Sequence, residues 1–196
     1  MNTDPEILVV VAHPDDEVIF GWPVLQDPRV PVEILIASNH NAARPSLMRQ
    51  GEVAMTLWRK ESVRVRCLPY PAMFSEVRST HGLCVDLLAA IEASAAPTIY
   101  THNPLGEYGH PDHKLVHEVC VQSNKKWVLV SDMCLCRDLT PWRRPSERAK
   151  RTWCRNQLGS CILDLAWYDR LRAGYVANDC WTWNHEPVAE CGLYYL

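Results

Sequence analysis

An unbroken apolar run, Ile7 to Val11, opens the chain with five β-favouring residues. That is the pattern of a strand buried on both faces, as in a parallel sheet. Pro14 stops it. Asp15, Asp16 and Glu17 then begin a second apolar stretch, Val18 to Leu25, where carboxylates suit the positive end of a helix. Val32 to Ala37 is another continuous strand pattern, followed by the turn-forming Ser38-Asn-His-Asn41. Ser46 to Lys60 places Leu47, Val53, Ala54 and Leu57 at helical spacing, and Val63 to Leu68 again reads as strand. Leu83 to Ala93 predicts a helix, Thr98 to Thr101 a fourth strand, Asp112 to Gln122 its helix, and Trp127 to Ser131 a fifth strand. Strict alternation of this kind predicts an α/β, Rossmann-like, doubly wound and mostly parallel sheet of about five strands, flanked by helices and joined by right-handed crossovers. In the strand order 3-2-1-4-5 the first and fourth strands are neighbours, and their carboxyl ends form the crevice where such sheets bind ligands.

Length and composition narrow the class. The 196 residues, 47% of them hydrophobic, with a net charge of −3, suit one ordinary globular domain over residues 1–196. Its core sheet would occupy about 5–135 and a C-terminal extension about 136–196. This balance gives no global pull towards nucleic acid or membrane. The N-terminus lacks a signal-peptide pattern, and no apolar run approaches the roughly 20 residues needed to span a bilayer, so the expected compartment is the cytoplasm. The nine cysteines are scattered, with Cys134 and Cys136 the closest pair, and read as buried small hydrophobes rather than a disulfide framework.

The chemistry gathers at two strand ends. Ala12-His-Pro-Asp-Asp-Glu17 follows the first strand, and Gly109-His-Pro-Asp-His113 follows the fourth, each a histidine-proline-acid turn ahead of a helical pattern. Taken singly, the first turn would pass for an acidic N-cap. Brought together across the crevice, His13, Asp16 and His113 supply three ligands with an open fourth position, the arrangement of a catalytic rather than a closed structural zinc site. Gly106 and Gly109 permit backbone conformations that other residues resist. A dinucleotide site is excluded at the first turn, which has no Gly-x-Gly-x-x-Gly and whose acids would repel a pyrophosphate.

These two motifs together resemble those of the PIG-L/LmbE-like zinc-dependent N-deacetylases, over roughly residues 5 to 135. The resemblance implies removal of an acetyl group from an N-acetylated amino sugar or sugar conjugate, with zinc on His13, Asp16 and His113. Asp15 would be the general base on the water, and Tyr108 the donor to the oxyanion. His110 would be the proton donor or electrostatic partner near the leaving amine, with Asp112 orienting it. Arg49 resembles the family's arginine for polar substrate groups, and Asn39 and Asn41, in the loop after the second strand, are further candidate sugar contacts. Iron(II) or another divalent ion suits the same ligands.

Other features stay open. Phe20-Gly-Trp-Pro23 puts bulk and a helix breaker where the family often has small residues, which bears on the substrate. Arg143 to Arg155 holds six Lys or Arg with Trp142 and Trp153 interleaved, most simply a solvated or interface helix rather than a nucleic-acid surface. Trp181-Thr-Trp183-Asn-His185 puts three rings at alternate positions, as a packing strand or as an aromatic platform closing the pocket. The partner is then a small molecule, and a homo-oligomer is compatible with the sequence. Two rival functions remain: a zinc amidohydrolase acting on a non-sugar N-acyl amine, and a metal-binding interaction protein that has lost turnover.

Overall fold

The computed structural model describes residues 4–39, 50–72, 80–133, 156–183 and 186–196. Five strands, β1 (Ile7–Val11), β2 (Val32–Ile36), β3 (Arg64–Cys67), β4 (Thr98–Thr101) and β5 (Trp127–Ser131), are joined through six helices. These are α1 (Asp16–Ile19), α2 (Trp22–Leu25), α3 (Gln50–Lys60), α4 (His81–Ala93), α5 (Gly106–Gly109) and α6 (Pro111–Val121). Beyond them come β6 (Gln157–Ile162), α7 (Leu165–Val176) and β7 (Glu190–Tyr195).

The strand order is β3-β2-β1-β4-β5-β7-β6. The first five are parallel and follow the expected 3-2-1-4-5, with Val9 opposite Ile34 on one side and Tyr100 on the other. Two strands were not legible in the pattern. β7 pairs antiparallel with β5, and β6 antiparallel with β7, so the sheet has seven strands and the C-terminal third extends it. Exposure explains why β6 escaped. Gln157 to Ile162 is exposed at nearly every position, so it lacks the apolar run that marks an interior strand.

Strand periodicity distributes β1 between two cores. Val9 and Val11 face one layer with Ile34, Ile36, Trp58, Tyr168 and Tyr175, while Leu8 and Val10 face the other with Leu35, Leu87, Ile91 and Val116. Helices α3 and α7 cover the first face, α4 and α6 the second. α7 starts with Asp164, whose carboxylate accepts the amides of Ala166 and Trp167 at 2.9 and 3.2 Å. Asp164→Ala is expected to cost about 0.5–2 kcal/mol in urea unfolding.

The stretch Val18 to Leu25 is two short helices rather than one. Gly21 separates them, and a Cβ there would lie 2.5 Å from the Glu17 carbonyl oxygen. Pro23 sits in the first turn of α2, where its missing N–H costs nothing, so it begins that helix instead of breaking one. Among the described residues no helix is long and apolar enough to cross a membrane. The six described cysteines are buried or half-buried, in keeping with their reading as small hydrophobes. Cys134, Cys136, the basic segment 143–155 and His185 lie outside the described residues.

Candidate metal centre

Because β1 and β4 are neighbours, the turns leaving their carboxyl ends meet. Asp15 occupies the N-cap position of α1 with φ 98°, a left-handed conformation rare for a residue with a side chain, and its carboxylate caps nothing. Both bonds to it come from the far end of the chain: the amide and hydroxyl of Thr182 donate to Oδ2 at 3.0 and 2.6 Å. Burial first, then the charge of Asp16, push the Asp15 carboxyl well above its ordinary range, and the Thr182 bonds oppose that rise.

Asp16 is the hub. Its Oδ2 accepts the His13 amide at 2.8 Å and lies 3.1 Å from His13 Nδ1 and 3.4 Å from His113 Nε2. A tetrahedral zinc site with bonds of 2.0–2.1 Å spaces its ligand atoms about 3.3 Å apart, so Asp16 stands at ligand spacing from both rings. Burial opposes ionisation of this acid, but the His113 and His13 charges outweigh it and hold Asp16 well below the usual carboxylate range.

His113 is held from behind. Its Nδ1 lies 2.7 Å from Glu107 Oε2, while its buried Nε2 has no hydrogen-bond partner among the described residues. An imidazole steadied by a carboxylate on one nitrogen, with the other unbonded beside an acid, is the usual form of a metal-ligating histidine. His13 has the same backing from Asp112, whose Oδ2 is 2.9 Å from His13 Nε2. This corrects the expected role of Asp112. Its carboxylate serves His13, and it reaches His110 with its backbone amide instead, which donates to His110 Nδ1 at 3.1 Å.

Among the described residues two sets of donors gather within 4.8 Å, His13, His110 and His113, and Asp16, His102 and His113, each holding two of the three expected ligands. His102 belongs to the wall rather than the cradle. Its Nε2 accepts the Ala12 amide at 3.0 Å and its Nδ1 meets Glu107 at 3.0 Å, so both nitrogens are engaged, and its ring stacks on His113 at 3.8 Å. Burial would depress both His13 and His113. The charge of Asp16 and the carboxylate bonds nevertheless raise His13 to about 10 and His113 to about 9, so binding a cation displaces protons.

His102 and Glu107 were missed in the sequence. Glu107 Oε2 serves both rings and Oε1 accepts the Asn103 amide at 2.9 Å. The loop bends for it, with positive φ at Gly106 and Gly109, as the glycines suggested, and at Glu107 itself, 56°. An acid between two glycines, just ahead of the second turn, was the available signal. Glu17 is likewise buried below the site, taking hydrogen bonds from Trp58 Nε1, the Tyr175 hydroxyl and the Asp15 amide. Burial raises it to about 7.

Around the donors stands an aromatic wall. Phe20 lies 5.4 Å from the His113 ring and 5.8 Å from Trp183, and Tyr108 lies 5.4 and 5.8 Å from the same two rings. The expected bulk at Phe20 therefore borders the site, whereas Trp22 is buried in the core. Trp181 and Trp183 do not point one way: Trp181 packs on Tyr168 and Tyr175 of α7. Of the candidate substrate contacts, Asn39 is half-buried after β2, its amide donating to the Tyr70 carbonyl. Asn41 and Arg49 fall outside the described residues.

A family model described as PIG-L, GlcNAc-PI de-N-acetylase, matches residues 8–124. The chain belongs to the PIG-L family. That match runs from β1 past α6 and contains both His-Pro-Asp turns, leaving Thr182, β6 and β7 outside it. No curated protein matches the sequence. Among solved structures, this PIG-L chain is similar to the A40926 pseudoaglycone deacetylase Dbv21, at 12% identity and a TM-score of 0.59, covering 91% of this chain and 83% of that one. The N,N'-diacetylchitobiose deacetylase of Pyrococcus horikoshii gives 14%, 0.56, and coverages of 90% and 70%. GalB, the 4-carboxy-2-hydroxymuconate hydratase of Pseudomonas putida KT2440, gives 14%, 0.55, 98% and 96%. At such identities the likeness is one of fold, which these relatives share across different reactions.

Proposed function

We propose that this PIG-L protein is a metal-dependent N-deacetylase that hydrolyses the acetamide of an N-acetylated amino sugar or sugar conjugate. The observation that carries this reading is the buried, unbonded Nε2 of His113, backed by Glu107 and 3.4 Å from Asp16. His13, Asp16 and His113 would hold the ion, and two imidazoles with a carboxylate suit zinc, with iron(II) the nearest alternative. When bound, the ion supplies Lewis-acid polarisation of the acetamide carbonyl and eases deprotonation of water.

The residues supply the rest. Asp15, with its affinity for protons raised by burial, takes the proton of the attacking water and is the group to pass it on to the departing amine. Tyr108 keeps its hydroxyl proton, since burial pushes its pKa above the ordinary tyrosine range, and so can donate to the oxyanion. His110 accepts the Asp112 amide on Nδ1, leaving Nε2 to carry its proton. Burial and the charges of His113 and His13 push His110 down to about 3, so it acts as a neutral hydrogen-bond donor rather than a cationic acid. Of the aromatic wall, Tyr108 is half-buried and can meet the substrate, while Phe20 and Trp183 are buried behind it.

The test is acetate release by zinc-loaded and chelator-stripped protein from a panel of N-acetylated sugars, set beside N-acyl amino acids. Turnover of sugars alone, lost on stripping and restored by zinc, is the expected result. Preference for N-acyl amino acids would give the second amidohydrolase reading. Stoichiometric metal with no turnover at all would leave a binding protein.

A further inference from the structure

We propose that Thr182 is the positioning residue of the general base, fixing the Asp15 carboxylate so that one oxygen is anchored and the other is left to take the proton. This rests on the reading of Asp15 as that base. Both Thr182 bonds, from amide and hydroxyl, fall on Oδ2, and Oδ1 has no hydrogen bond among the described residues. A carboxylate held at one oxygen by two donors loses rotation about its last torsion, and geometry of this kind is what proton transfer in an active site requires.

The anchor is itself anchored. Cys180 donates its amide to the Tyr175 carbonyl at 3.0 Å, and its own carbonyl accepts Gln50 Nε2 at 2.8 Å. On the far side of Thr182, Trp183 packs between Phe20 and Tyr108, while Trp181 lies on Tyr168 and Tyr175. The backbone around Thr182 is thereby pinned to α3, α7 and the aromatic wall at once. Its side chain nevertheless lies exposed, so a substitution there removes a hydroxyl without opening a cavity. Residue 182 also lies beyond residues 8–124, which the family model matches. The C-terminal segment then contributes to turnover through Asp15.

Thr182→Val keeps shape and backbone amide but deletes the hydroxyl donor, and Thr182→Ser restores it. With zinc-loaded protein and a turned-over N-acetylated sugar, the valine variant is expected to lose about 10- to 100-fold in kcat, the worth of a hydrogen bond to a charged group. KM stays within about twofold and metal content is unchanged, while the serine variant returns to within about threefold of the parent. Asp15→Asn is measured alongside. A valine variant as fast as the parent, or one whose loss is in KM alone, overturns the role of Thr182 while an inactive Asp15→Asn leaves the base in place. A serine variant as slow as valine overturns it as well. An active Asp15→Asn removes the base reading itself, and the assignment of Thr182 with it.

Discussion

Asp15→Asn is expected to bind metal at the parent's stoichiometry and to release acetate about 10² to 10⁴ times more slowly, the usual loss on removing a catalytic base. The substitution is nearly isosteric. Its amide oxygen can still accept the Thr182 amide and hydroxyl, so the left-handed backbone at φ 98° keeps its support. Asp15 contributes no atom to the distances linking Asp16 with His13 and His113, so the cradle is left intact. Single-turnover acetate release together with metal analysis separates the two effects. Activity within tenfold of the parent would show that another group takes the proton.

Glu107→Gln should act in the opposite way, on the metal first. One carboxylate oxygen of Glu107 receives both His102 and His113, and a glutamine offers one acceptor and one donor in its place. If the glutamine nitrogen takes the place of Oε2, both rings must flip tautomer or lose their bonds, which for His113 puts the proton on the nitrogen that should meet the ion, and if the oxygen does, the new N–H is turned on the Asn103 amide. Metal affinity is expected to fall about 10- to 100-fold in a competitive chelator titration. The metal-free protein should lose about 1–3 kcal/mol in denaturant unfolding for the buried group left unsatisfied.

A pH signature accompanies that loss. Burial would raise the Glu107 carboxyl, but the His102 and His113 rings hold it at about 2, below the 4.5 of an ordinary glutamate. A depressed acid stabilises the fold above its unfolded pKa, so this contribution is full above about pH 4.5 and fades as pH falls towards 2. Metal-free Glu107→Gln should lack that part of the acid slope. An unchanged affinity and an unchanged slope would both speak against Glu107 as the support of His113.

The parallel part of the sheet could be read from the chain because its central strands β1 and β2 are mostly apolar and buried on both faces, and the two turns stood out because proline, acid and histidine recur at matched strand ends. Three kinds of feature escaped. β6 is an exposed edge strand with no interior pattern, and β7 is assigned by its pairing with β5 rather than by an alternation of its own. In the sequence His102 merely follows a predicted strand and Glu107 is an acid near two glycines. Their roles arise from a stacked ring and a shared oxygen, which spacing does not express. Thr182 meets Asp15 across 167 positions, and no local pattern predicts such a pair. The exchange of partners at Asp112 has the same origin: in sequence it stands beside His110, but the fold presents His13 to its carboxylate.

The adjacency of β1 and β4 sets the scale of the centre. Neighbouring strands in a sheet lie about 4.8 Å apart, so the pairing of β1 with β4 is what brings the first and second turns close enough for one ion to meet both. Changes outside these two strands and their turns can therefore alter what enters the crevice while the spacing of His13, Asp16 and His113 is kept. A protein built this way can exchange one amide substrate for another by editing its surroundings, with the hydrolytic chemistry left as it was.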